Sequence, residues 1–257
     1  MDVATLAGLG MAFGLILGAV VMEGGNPVAI FLIPPMVLVF GGTFGAVMAG
    51  VTMKDFISLF AKWMKAALMP KVPVTDETIT TIVKLAERAR REGLLALEDA
   101  AKDIDDPFLK RGLELAIDGT DPDDLREILE LQVKAKKASD KIGEQMFTDM
   151  GGYSPTIGIV GTVFGLIHVL ENLSQPDKLG HLIAGAFVAT LWGVLSANVI
   201  WLPMGKKIKR ISGLEAQRME LVIEGVLQIQ AGGNPRLVGQ KLNALVGADA
   251  APAKKAA

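Results

Sequence analysis

Four apolar stretches dominate the chain, at residues 3–22, 27–53, 151–170 and 182–204. Each is long enough to cross a bilayer as a helix, which takes roughly 20 mostly apolar residues. Inside a bilayer a segment has to satisfy its own backbone hydrogen bonds, so apolar stretches of this length read as helices. The fold class expected is therefore all-α: an integral membrane protein with four transmembrane helices and a helical domain between the second and third. A formal net charge of −2 argues against a nucleic-acid partner. The chain holds no cysteine, which removes disulfides, thiol catalysis and cysteine zinc sites. Ahead of the first stretch there is no basic region, and after it, at VVMEGGNP, no clear cleavage site. It reads as a retained span and not as a signal peptide.

Basic residues orient the spans. The turn EGGN between the first two has none, and ENLSQPDKLGH between the last two has only Lys178. The segment 54–149 carries sixteen Lys or Arg, and the part after Met204 carries nine. The long loop and both termini are thus expected in the cytoplasm. This divides the chain into 1–53 (spans one and two), 54–149 (cytoplasmic helical domain), 150–205 (spans three and four) and 206–257 (cytoplasmic helical tail). The terminal ADAAPAKKAA has the composition of a disordered end. Within the loop, KDFISLFAKWMKAAL sets Phe56, Phe60 and Trp63 on one face, with Lys54, Lys62 and Lys65 able to reach headgroups. A helix at the membrane surface near 54–67 and an ordinary core helix both fit that pattern. Thr75 or Asp76 can cap the next helix, which stops near Gly93. Another helix runs from Pro107 to a stop at Gly119, and a long one starts in the acidic turn Asp121–Asp123–Asp124.

Asp, Glu, Lys and Arg are absent from all four spans except at their ends. An ion carrier normally needs an intramembrane carboxylate or its equivalent. Either the chain moves no ions, or a partner supplies the acid. Two hydroxyls bear on the choice. Thr162 lies ten residues into the third span from one side, and Thr190 ten residues into the fourth from the other. At 1.5 Å per residue both sit about 15 Å deep, near the midplane. They can line a polar path, or each can bond its own helix carbonyl one turn back. Pro155 and Pro203 lie at the cytoplasmic ends of the same two spans, as hinges or as boundary markers. Gly158, Gly161 and Gly165 in the third span, and Gly10, Gly14 and Gly18 in the first, have the spacing of close helix packing. His168 falls near the outer interface. Two histidines, no metal-spaced cluster and no phosphate-binding glycine loop argue against an enzyme, and no cofactor is expected.

Several ordered motifs closely resemble the flagellar stator subunits of the MotA/TolQ/ExbB family. They are REGLLALE, DDPFLKRGLELAIDGTDP, YSPTIGIVGTVFGLIHVL, AFVATLWGVLSANVIWLP and IEGVLQIQAGGNPRLVGQKL, and the match spans nearly the whole chain. The resemblance implies an inner-membrane homopentamer around a MotB-like single-span partner. That partner carries the ion-binding aspartate. It also implies that inward H+ or Na+ flow is coupled to rotation and to torque on a FliG-like rotor switch protein. Carried over by residue, Thr190 matches the threonine facing that aspartate. Thr162 matches a position that is threonine in many sodium-driven members. Pro155 and Pro203 match prolines of conformational coupling, and Arg90 and Glu98 the charged pair that engages the rotor. An ExbB- or TolQ-like energising subunit is the nearest rival, but those have three spans. A non-conducting helical scaffold explains the glycines and not the paired threonines.

Overall fold

The computed structural model describes residues 3–69 and 72–246, without the side chains of Lys54, Ser58, Leu59 and Ala61. The expectations for Lys54 and for ADAAPAKKAA fall outside the described residues. Among the described residues there is no strand. The helices are α1 (Val3–Met22), α2 (Ile33–Gly50), α3 (Met53–Leu68), α4 (Thr75–Glu92), α5 (Leu97–Lys102), α6 (Pro107–Ile117), α7 (Pro122–Glu171), α8 (Pro176–Leu195), α9 (Leu202–Gln230) and α10 (Pro235–Val246). A π turn, Ser196–Trp201, joins α8 to α9 without a break. Four helical segments are long and apolar enough to cross a membrane. The described residues form two compact units, one from 3–69 and 140–210, the other from 72–139 and 211–246.

The first unit holds the four candidate spans. Its second span is two pieces: a 3-10 turn, Pro27–Ile30, capped by the Asn26 side chain, and then α2. Pro34 and Pro35 fall in the first turn of α2, where missing donors cost nothing. Trp192 of α8 donates its Nε1–H to the Ile30 carbonyl at 2.7 Å and packs against Phe31 and Phe40. The chain leaves α2 at Val51 and restarts at Thr52, whose hydroxyl caps α3 by accepting from the Asp55 N–H at 3.2 Å.

Helix α3 packs its aromatic side inside this unit. Phe56 stacks on Phe60, Phe60 on Phe147 of α7, and Trp63 is buried over Gly143. A Cβ at Gly143 would lie 2.4 Å from the Trp63 ring, so the glycine makes the contact possible. Lys62 folds back, its Nζ 4.5 Å from the Trp63 ring centre. Met53 and Ile57 remain outward.

Helix α1 departs from the glycine-packing expectation. None of its residues is buried. A Cβ at Gly8, Gly10, Gly14 or Gly18 would meet no atom within 4 Å. The glycines of α1 thus make no close helix contact within the chain.

The second unit is a helical cluster around Ile82, Leu97, Leu113, Leu125, Leu129, Val222, Val226 and Leu242, all fully buried. Each such side chain contributes about 1.5–3 kcal/mol relative to an exposed one. Gly93 (φ 84°) and Gly119 (φ 76°) take the left-handed conformation that ends α4 and α6. The cap of α4 differs from expectation. Val74 is the cap residue and makes no side-chain bond, while Thr75 and Asp76 are already helical. Asp76 still complements the helix dipole from the first turn. Asp106 caps α6 through the Phe108 N–H at 3.0 Å and also accepts from Arg218 of α9. Burial works against the Arg218 charge, but its bonds to Glu215 and Asp106 prevail and hold its pKa above the ordinary value.

Candidate functional site

Helices α7 and α8 touch backbone to backbone. A Cβ at Gly158 would lie 2.9 Å from the Ala189 carbonyl oxygen, and one at Gly193 would lie 2.8 Å from that of Ser154. Gly161 and Gly165 are pressed equally hard against Ala189 and Ala186. This is the close approach that small residues permit in membrane helices. The spacing of Gly158, Gly161 and Gly165 announces one side of the contact. Gly193, on the other side, carries no comparable repeat.

The close approach brings Thr162 and Thr190 together. Their hydroxyls are directly hydrogen-bonded. Thr162 Oγ1 also lies 3.2 Å from the Gly158 carbonyl and 3.1 Å from that of Ala186, and Thr190 Oγ1 lies 3.4 Å from the Gly158 carbonyl. Thr162 thus bonds back to its own helix as well as across to α8, whereas the contacts of Thr190 run across to α7. Each hydroxyl has one proton to donate. Four oxygens converge on two protons, leaving lone pairs available to a cation. Both threonines are half-buried, and no acidic side chain is among these contacts.

A second hydroxyl pair lies on the other side of the glycine contact. Ser154 and Ser196 are fully buried, with their oxygens 2.6 Å apart. Both also reach the Gly193 carbonyl, at 3.0 and 3.3 Å. Sequence reading missed this pair. Both residues pass for ordinary small polar positions, and nothing in their spacing joins them.

The two prolines occupy different environments. Pro155 lies inside α7, next to the glycine contact, its Cα 3.3 Å from where a Gly193 Cβ would stand. Pro203 does not end a helix, because the chain continues through it to Gln230. Its ring would press on the carbonyl four residues back, and it has no N–H to give. The π turn widens the helix just ahead of it, and the Leu202 N–H bonds the Ala197 carbonyl five residues back. Such turns gather at functional positions.

Arg90 and Glu98 are in the second unit, on exposed positions of α4 and α5. Gly93 and the 3-10 turn Leu94–Ala96 fold α5 back onto α4. Several neighbouring charges pair locally: Arg88 with Glu92 at 3.2 Å, and Asp99 with Lys102 at 2.8 Å. The Lys102 hydrogen bond holds the Asp99 carboxyl below its usual range. Among the described residues neither Arg90 nor Glu98 forms an ion pair. Leu95, between them in sequence, is 73% exposed.

The MotA/TolQ/ExbB proton channel family model matches residues 100–221. Motility protein A of Bacillus subtilis is 37% identical over 248 residues, covering 94% of this chain and 90% of its own. A chain in the structure of C. jejuni MotAB superposes with a TM-score of 0.91 at 30% identity, over 97% of both chains. A chain of the flagellar MotAB stator complex from Bacillus subtilis does so with 0.87 at 36% identity, over 95% of this chain and 96% of that one.

Proposed function

This chain belongs to the MotA/TolQ/ExbB proton channel family, and on that premise we propose that it is the stator subunit of a flagellar motor, acting with a MotB-like partner. The carrying observation is its end-to-end likeness to chains solved within two-component MotAB complexes. The spans hold no acid of their own, so the partner supplies the carboxylate, and Thr162 and Thr190 supply neutral oxygens beside it. A cation that pauses at the carboxylate exchanges water for these oxygens, and a proton needs only the carboxylate and a water chain. One charge crossing 100 mV releases about 2.3 kcal/mol, about four times thermal energy. Torque then requires successive ions.

In this reading several copies, five by family analogy, surround the partner in the inner membrane. The loop and both termini face the cytoplasm, as the basic residues favour. Arg90 and Glu98 present unsatisfied charge to a FliG-like rotor protein. Pro155 and Pro203 let α7 and the α8–α9 helix flex as the ion site changes occupancy. The coupling ion is H+ or Na+, with Thr162 favouring sodium.

Reconstitution tests the reading. Liposomes holding this chain alone should pass no proton or sodium current, and adding the single-span partner should open one. Flux without the partner would remove the shared site.

A further inference from the structure

A cavity of about 520 Å³ opens between α1, α3 and the π turn with the start of α9, away from the threonine pair. Ala4, Gly8 and Ala12 form one wall, and Ile200, Pro203 and Met204 the other. At one end Lys207 donates a hydrogen bond to Thr5, and the Asn198 amide lines the other. The lining runs along the helix from Asn198 to Lys207, or about 13 Å at 1.5 Å per residue. That is close to half of a hydrocarbon core about 30 Å thick, the depth of a single leaflet.

Charge is concentrated at the same end. Lys207 follows the apolar stretch 182–204 within one turn, with Lys206, Lys209 and Arg210 beside it in sequence. Lys209 is paired with Glu144 at 3.0 Å, and Lys206 and Arg210 are exposed. The chain does not fill the α1 side: α1 buries no residue, and a Cβ at Gly8 would meet nothing within 4 Å. A single acyl chain is thin enough to lie along this length. An apolar slot one leaflet deep, cationic at the headgroup end, matches a phospholipid with net negative charge.

We propose that this cavity binds an anionic phospholipid, with its phosphate at Lys207 and Thr5 and one acyl chain between α1 and the π turn. The site is independent of the ion path and goes beyond the stator reading. The lipid packs directly on Pro203 and the widened turn ahead of it.

Native mass spectrometry of the complete complex, exchanged into vesicles of phosphatidylglycerol or phosphatidylcholine, tests the assignment. The parent should retain phosphatidylglycerol in preference to phosphatidylcholine. Lys207→Gln should lower phosphatidylglycerol retention about fivefold, as expected for one cation near a charged headgroup, and leave phosphatidylcholine unchanged. Gly8→Leu, which fills the slot, should lower retention of both. Equal retention of the two lipids by the parent, or phosphatidylglycerol retention unchanged in both variants, overturns the proposal. Because the chain has no cysteine, Gly8→Cys adds a second readout. Phosphatidylglycerol should slow its labelling by a lipid-soluble maleimide. Labelling indifferent to phosphatidylglycerol, or an oxidised dimer linked through this position, would mean the slot holds something else or a second copy.

Discussion

Thr162 faces more acceptors than its single proton can serve. Its hydroxyl lies within 3.2 Å of two carbonyl oxygens from different helices and also touches Thr190. Removing it with Thr162→Ala deletes one oxygen of four. If sodium is the coupling ion, rotation of tethered cells should need several-fold more external sodium, while Thr162→Ser should stay close to the parent. If the hydroxyl only bonds helix carbonyls, both variants should rotate alike, since such bonds average about 0.6 kcal/mol in membranes. The matched depth of Thr162 and Thr190 is legible in sequence, because two antiparallel spans can be counted inward from opposite sides. Ser154 and Ser196 defeat the same count. They lie three residues from the start of the stretch 151–170 and eight from the end of the stretch 182–204, and only the packed helices bring them together. Arg90 and Glu98 are plain charged positions in sequence. The structure adds that they are exposed and without an ion pair among the described residues, and that Leu95 is exposed too.

Among the elements, the contact of α7 with α8 leaves no room for a side chain. Gly193→Val would drive branched carbon into the Ser154 carbonyl, and backbone on both sides cannot yield. Overpacking of this kind costs about 1–3 kcal/mol. The expected result is a lower melting temperature of the purified complex. Gly10→Val on α1, where no atom stands within 4 Å of a Cβ, should not disturb the fold of the single chain. Equal melting temperatures for Gly193→Val and the parent would mean the contact is looser than its distances indicate. Pro203→Ala should act in the opposite sense. It restores a donor and removes a ring whose cost in a helix interior reaches about 3 kcal/mol. The π turn should tighten, the complex should melt higher, and swimming should slow. Unchanged speed in a complex that does melt higher would make the turn a purely structural accommodation. Length and hydropathy make the spans readable. They do not reveal the break before Pro34 and Pro35, nor that the helix passes through Pro203, because a proline reads as an end unless the helix widens ahead of it.

At the scale of the molecule, a substitution at Glu98 separates the proposed rotor contact from the proposed ion path. Its side chain is exposed, and an exposed charge contributes at most about 1 kcal/mol to folding. Glu98→Lys should leave membrane insertion and partner-dependent flux intact while motility falls severely, and a charge reversal on the rotor protein should recover part of it. Loss of the chain from the membrane would make Glu98 a folding residue instead. The four spans and the helical second unit follow from apolar length, helix caps and glycine stops. What sequence could not supply was the role of α1, since its glycine spacing is the spacing of a packed helix and the chain leaves that face open. Phe13 and Ile16 of α1 pack on the chain, but its glycines meet no other residue. Substitutions at those glycines should be judged by what surrounds the chain, whereas those at Gly158 or Gly193 are judged by the chain itself. In a comprehensive substitution screen, α7 and α8 should show intolerance that tracks their mutual contact. Along α1 intolerance should instead trace a footprint of the surroundings, so its pattern of tolerated residues becomes a map of what the assembled motor presses against it.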